Sequence, residues 1–129
     1  MPRRKQSNPT EAELEILNIL WEDGPSTVRR VQEKLNEIRK TGYTTVLKLL
    51  QLMMEKGLVV RDESTYAHIY QARLEKEQTQ RKLMDDLLER AFGGSAMRLV
   101  VQALSTRKAS PEELAQIRKL LDDLEEENK

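Results

Sequence analysis

The stretch Gly42-Tyr43-Thr44-Thr45-Val46-Leu47-Lys48-Leu49-Leu50-Gln51-Leu52-Met53-Met54-Glu55-Lys56-Gly57 decides the fold. Wound as a helix at ~100° per residue, it sorts into two faces. Val46, Leu49, Leu50 and Met53 gather on one side, while Thr44, Lys48, Gln51 and Glu55 form a polar wedge opposite. Gly42 and Gly57 bracket the segment, and Gly57 is placed to end it in the left-handed conformation that suits glycine. Such a helix buries one side and offers hydroxyl, amino and amide groups on the other. That pattern fits an ordinary surface helix. It equally fits a helix lying in a DNA major groove, where such side chains reach base edges and phosphates.

The flanking sequence separates these readings. Upstream, Thr10-Glu11-Ala12-Glu13 reads as a capping box that opens a first helix running to about Glu22. Leu14, Ile16, Leu17, Leu20 and Trp21 form its apolar stripe, with Trp21 in the core. Asp23-Gly24-Pro25 breaks it. Ser26 or Thr27 caps a second helix to about Lys40, with Val28, Val31, Leu35 and Ile38 inward. A turn from Arg39 to Gly42 then leads into the 43–56 helix, the spacing of a helix-turn-helix. Downstream the period changes to that of strands. Leu58 to Arg61 and Ala67 to Gln71 are rich in β-formers and flank the turn mixture Asp62 to Tyr66. This predicts a β-hairpin, a wing, with Leu58, Val60 and Ile69 or Tyr70 packed on the helices; a lone hairpin would be marginal in water. Ahead of all this, Arg3, Arg4 and Lys5 form a short basic arm, either a solubilising tail or a contact to phosphates or a minor groove.

From Leu74 the helical pattern returns. Leu83, Leu87, Leu88, Ala91 and Phe92 form a stripe that stops at Gly93-Gly94. Ser95 to Leu104 is a short apolar segment with Met97, Leu99, Val100 and Val101, and Ser105 to Ala109 is a linker. Ser110-Pro111-Glu112-Glu113 starts the last helix with a cap, a proline at the first helical position and a glutamate at the third. Leu114, Ile117, Leu121 and Leu124 keep heptad-like spacing along it. These ~55 residues are too few to bury so wide a stripe alone. Pairing with a second copy through Leu83, Leu87, Phe92, Val100, Leu104, Leu114, Ile117, Leu121 and Leu124 covers it; packing onto the N-terminal half is the alternative. The expected division is a DNA-binding domain over 1–73 and a helical dimerisation domain over 74–129.

Composition narrows the function classes. The 129 residues carry 22 Lys+Arg and 22 Asp+Glu, so the formal net charge is zero. The split is mildly uneven, with 12 cations against 10 anions in residues 1–73 and 10 against 12 in 74–129, so charge alone decides nothing. The absence of cysteine excludes disulfides, thiolate catalysis and Cys-based metal sites. No apolar run reaches the ~18 residues that span a bilayer, and the N-terminus lacks the apolar core of a secretory signal. We therefore expect a cytoplasmic protein with no cofactor. An enzyme is disfavoured: His68, the single histidine, falls on a predicted strand with no oriented partner for general-base work. Asp85-Asp86 and Asp122-Asp123 diverge by ~100° around their helices and read as solvated faces rather than metal ligands. Met53, Met54 and Met97 read as core or interface filler, not a copper site.

The chain resembles the penicillinase-repressor family of transcription regulators (the BlaI/MecI/CopY group). The resemblance rests on Thr10, Glu13, Ile16-Leu17, Leu20-Trp21, Gly24-Pro25, Val28-Arg29, Tyr43-Thr44-Thr45-Val46, Leu49, Lys56-Gly57-Leu58-Val59 and His68-Ile69-Tyr70. The order of elements matches over the whole chain, including Phe92-Gly93-Gly94. It implies a mostly α protein with a small β-hairpin: a winged helix-turn-helix domain joined to a C-terminal helical dimerisation domain. It further implies a homodimeric repressor on a palindromic, double-stranded operator. Base contacts carried over to this chain fall on Thr44, Thr45, Lys48 and Gln51, and phosphate contacts on Arg29, Arg61 and the backbone near Thr65.

This chain departs from the family pattern in two places. Its third helix has less arginine, and Leu47 and Leu52 border the polar wedge, which suits contact with thymine methyls. Members released by a membrane sensor protease are cut at an Asn-Phe bond; the aligned pair here is Gln102-Ala103. The cysteine-rich tail of the copper-responsive branch is absent. The releasing signal is thus open, proteolysis in the dimerisation domain being one route. A protein-interaction scaffold built on a winged helix is the alternative function.

Overall fold

The computed structural model describes residues 8–129, so the basic arm at Arg3, Arg4 and Lys5 lies outside the described residues. The elements run α1 (Glu11–Asp23), α2 (Val28–Asn36), α3 (Tyr43–Glu55), β1 (Val59–Asp62), β2 (Ile69–Ala72), α4 (Lys76–Phe92), α5 (Ala96–Thr106) and α6 (Pro111–Glu127). Two compact units meet within α4, the first ending at Leu83 and the second beginning at Met84. Against a sequence boundary at 73/74, the first unit takes in the opening turns of α4. Thr79 is buried there, and the Trp21 Nε1–H donates to the Leu74 carbonyl at 2.9 Å.

In the first unit, α1, α2 and α3 surround one core. Ile16, Leu17 and Leu20 from α1, Val31 and Leu35 from α2, and Val46, Leu50 and Met53 from α3 are buried together. Leu49 and Trp21 are partly buried against it. The starts of α1 and α2 follow from their capping residues. Thr10 and Glu13 complete both halves of the capping box that opens α1. Thr27, rather than Ser26, caps α2 by accepting from the Arg30 N–H. At the end of α3, Gly57 has φ 77°, with its N–H donating to the Met54 carbonyl and the Leu58 N–H to the Met53 carbonyl. That is the double bond pattern of a glycine-terminated helix, and it aims the chain into β1.

A partly buried ion pair ties the two ends of this arrangement. Glu13 is 2% exposed. Its Oε1 accepts from the Thr10 N–H at 2.9 Å and from the Lys56 Nζ at 2.8 Å, joining the start of α1 to the end of α3. Burial opposes ionisation of Glu13, but the Lys56 ammonium and the Thr10 donors outweigh it and hold the carboxyl below its ordinary range.

Three sequence expectations are corrected. Helix α2 ends at Asn36, not near Lys40, and Ile38 is 58% exposed instead of inward. The Asn36 Oδ1 accepts from the Thr41 N–H at 2.7 Å, which stabilises a non-helical loop over 37–42. In the wing, Val59 is buried and Val60 is 41% exposed. The antiparallel register pairs Val59 with Ala72 and Arg61 with Tyr70, so these four share the face turned to the core. A one-residue shift reverses every side chain in a strand, and Val60 takes the outer face with Ile69 half-buried. The wing is anchored by Tyr70, fully buried, and by a two-bond bridge between the backbones of Ser26 and Tyr70.

In the second unit, Gly93 and Gly94 both take positive φ and stop α4, and Ser95 caps α5. Ser110 Oγ accepts from the Glu113 N–H and opens α6 behind Pro111. Neither α5 nor α6 contains a buried residue.

The core arrangement predicts that Leu50→Ala lowers stability by about 2–5 kcal/mol in urea denaturation, the cost of an unfilled site. The Glu13 carboxyl has a depressed pKa in the fold, so its contribution is present at neutral pH and disappears as the pH falls through the folded value. Wild type therefore exceeds Glu13→Gln in stability at about pH 7, and the gap closes in acid below about pH 5, a comparison read by thermal melts across pH.

Candidate nucleic-acid interface

One face of α3 is sealed in the core and the other is open. Thr44, Thr45, Lys48 and Gln51 are all exposed, as the sequence predicts. Their spacing puts Thr44, Lys48 and Gln51 in one row, at intervals of four and three residues. Within the described residues no hydrogen bond or ion pair engages the Lys48 or Gln51 side chain. Leu52, 45% exposed, borders the row and gives it an apolar edge. Lys56, at the C-terminal end of α3, is committed to Glu13, which leaves Lys48 as the free cation of this helix among the described residues.

Beside this row the fold forms a groove of about 720 Å³. Its walls are Thr27, Val28 and Arg29 at the start of α2, Tyr43, Leu47 and Gln51 of α3, and Arg61, Tyr66, Ala67, His68 and Tyr70 of the wing. Arg29 is exposed on the first turn of α2. The groove thus collects three of the seven residues expected at DNA, namely Arg29, Gln51 and Arg61. Thr65 sits exposed at the wing tip, where its hydroxyl donates to the Ala67 carbonyl at 2.6 Å and shapes the turn.

Arg61 is not a free cation. Its Nη2 lies 2.9 Å from Glu63 Oε1, its Nη1 reaches the Tyr70 hydroxyl at 3.4 Å, and its guanidinium stands 6.0 Å from the centre of that ring. The Tyr70 hydroxyl, ahead of Glu63, favours the charged form and pushes the Arg61 pKa further above its ordinary value. Sequence reading missed Glu63 as the partner. Glu63 lies just beyond β1 in the turn mixture, where composition signals only a bend. Sequence reading also missed the Glu13–Lys56 pair, for which no local rule links residues 43 positions apart.

The residues expected to dimerise lie along the three C-terminal helices. Leu87, Val100, Leu104, Leu121 and Leu124 are exposed; Leu83, Phe92, Leu114 and Ile117 are half-buried. Gln102 and Ala103 are exposed in the middle of α5. No helix among the described residues is long and apolar enough to cross a membrane, and no cluster of three His, Asp or Glu side chains there suits a metal ion.

Comparison with known proteins places the chain. The penicillinase repressor family model matches residues 9–123. A transcriptional regulator BlaI of Mycobacterium tuberculosis is 31% identical over 117 residues, covering 89% of this chain and 83% of its own. A penicillinase repressor of Staphylococcus aureus is 19% identical over 120 residues, covering 93% and 95% respectively. Among solved structures, a MarR family protein from Bacillus stearothermophilus superposes with a TM-score of 0.51 at 21% identity, over 94% of this chain and 76% of that one, which shows a shared fold. A helix-turn-helix with a two-stranded wing, carried by a sequence that matches this family almost from end to end, identifies the chain as a winged-helix transcription regulator of the penicillinase repressor family and not an enzyme.

Proposed function

We propose that the chain is a repressor that acts as a homodimer, reading an inverted-repeat operator with the outward row of α3. The observation that carries this reading is the complete burial of Val46, Leu50 and Met53, each 0% exposed, directly opposite Thr44, Lys48 and Gln51. A helix so fixed presents its polar row as a rigid unit, the condition for reading base edges. Lys48 donates to guanine or to a phosphate. Thr44, Thr45 and Gln51 supply hydrogen bonds, and Leu52 supports contact with a thymine methyl. Arg29 and the backbone near Thr65 are the groups available for phosphate contacts, which would hold the helix in register rather than choose sequence.

Dimerisation is supported by the second unit. Exposed leucines and valines on helices without a single buried residue are costly in water, and a second copy covers them symmetrically. Two-fold symmetry then places two α3 helices in successive major grooves roughly 34 Å apart. Such a protein works in the cytoplasm, where its DNA is. For release, the Gln102–Ala103 bond is a candidate scission point for a sensor protease. Both residues lie inside α5, so cleavage there requires local unwinding of that helix.

The reading is tested with a duplex selected from a random pool by the protein itself. Lys48→Ala and Gln51→Ala are each expected to weaken binding by ~1–3 kcal/mol at fixed salt while leaving the dimer intact. Wild-type affinity in both variants would remove α3 from the interface. Failure to select any duplex, together with a stable protein partner in pull-down, would favour the scaffold function. The double variant Leu121→Asp/Leu124→Asp is expected to sediment as a monomer and to lose operator binding; an unchanged dimer would move the interface elsewhere.

A further inference from the structure

The wing concentrates charge in a way that the operator-reading model leaves unused. One carboxylate oxygen of the wing, Glu63 Oε1, faces two basic groups, Arg61 Nη2 at 2.9 Å and His68 Nε2 at 3.7 Å. Asp62 adds a second carboxylate, held by the Ser64 hydroxyl and amide and kept ionised below its ordinary range. With His68 neutral, the wing therefore carries Arg61 against Asp62 and Glu63, one cation against two anions. That balance repels a phosphate backbone, whose attraction requires uncompensated cations. The other titratable groups around the groove are Arg29 from α2, Tyr43 from α3, and Tyr66 and Tyr70 from the wing. None of these is a carboxylate or an imidazole. Histidine is the side chain that ordinarily changes charge between about pH 5 and 8, and this chain has only one.

We propose that Glu63 is a positioning residue that withholds Arg61 from DNA, and that protonation of His68 releases it by competing for the same carboxylate oxygen. The proposal rests on the reading above that this groove faces the DNA backbone. In the neutral state Glu63 cancels the Arg61 charge and pins the guanidinium beside the Tyr70 ring. The Arg61 Nε stays without a partner among the described residues. When His68 gains a proton, Glu63 is shared between two cations and the wing charge rises from net negative to zero. Arg61 then turns to a phosphate, through a guanidinium suited to bidentate contact. The repressor grips its operator more tightly as the pH falls.

The test is fluorescence anisotropy with the selected duplex at constant ionic strength, from about pH 8 to about pH 6, for wild type, His68→Gln, Glu63→Gln and Glu63→Gln/Arg61→Ala. Wild type is expected to tighten by roughly fivefold, each protomer gaining one exposed charge contact. His68→Gln loses that response. Glu63→Gln is expected to bind at pH 8 at least as tightly as wild type does at pH 6, and the double variant loses that gain. Equal pH profiles for wild type and His68→Gln overturn the proposal. So does a Glu63→Gln gain that survives loss of Arg61, which would make Glu63 a repelling charge only. Absence of wild-type binding at every pH refutes the DNA-facing reading itself, an outcome distinct from pH-independent binding.

Discussion

The structure depends on one helix being wet on one side and dry on the other. Val46, Leu50 and Met53 meet side chains from α1 and α2 with no exposed surface left. Each such side chain is worth about 1.5–3 kcal/mol of burial, so turning α3 about its axis forfeits several kcal/mol that no surface hydrogen bond returns. The outward position of Thr44, Lys48 and Gln51 is thus imposed by what lies opposite. The Glu13–Lys56 pair adds a longitudinal restraint. It pins the last turn of α3 to the first turn of α1, and Gly57 then turns the chain sharply into the wing. Rotation and sliding of the helix are both blocked.

The wing is an extension of the same constraint. Two short strands would not hold alone, and here they are fastened by Val59 and Tyr70 in the core and by the backbone bridge to Ser26. Because Arg61 shares the inner face with Tyr70, its guanidinium runs along the groove wall rather than out to solvent. A cation that a sequence reading assigns to phosphate is thereby drawn into a local network with Glu63. A net charge of zero therefore says little about the local distribution of charge. Lys56 is paired with Glu13 and Arg61 with Glu63, whereas Lys48 carries no partner among the described residues.

Much of this was legible in the sequence wherever a local rule governed. The capping box at Thr10 and Glu13, the glycine stop at Gly57, the double glycine after Phe92 and the start at Ser110-Pro111 all act through backbone groups a few residues away. The periodicity of α3 likewise identified its buried and exposed faces. What failed were the features set by tertiary geometry. A run of three apolar residues, Leu58-Val59-Val60, does not say which one faces inward; the pairing with Ala72 and Tyr70 does. Ile38 extended the apolar pattern of α2, but the Asn36 side chain captured the loop first. Glu63 escaped notice because it lies in the turn mixture, where composition signals only a bend. The residues of the candidate interface were readable for the same reason that α3 was, since periodicity names the outer face. The restraint on Arg61 was not.

The most direct test of the central claim is site-specific photo-crosslinking to a labelled duplex selected by the protein. A photoreactive residue in place of Lys48, on the open face of α3, is compared with one in place of Asn18, also exposed but on α1. The account predicts covalent capture of the duplex from position 48 and none from position 18. Capture from position 18 with none from position 48 would contradict it.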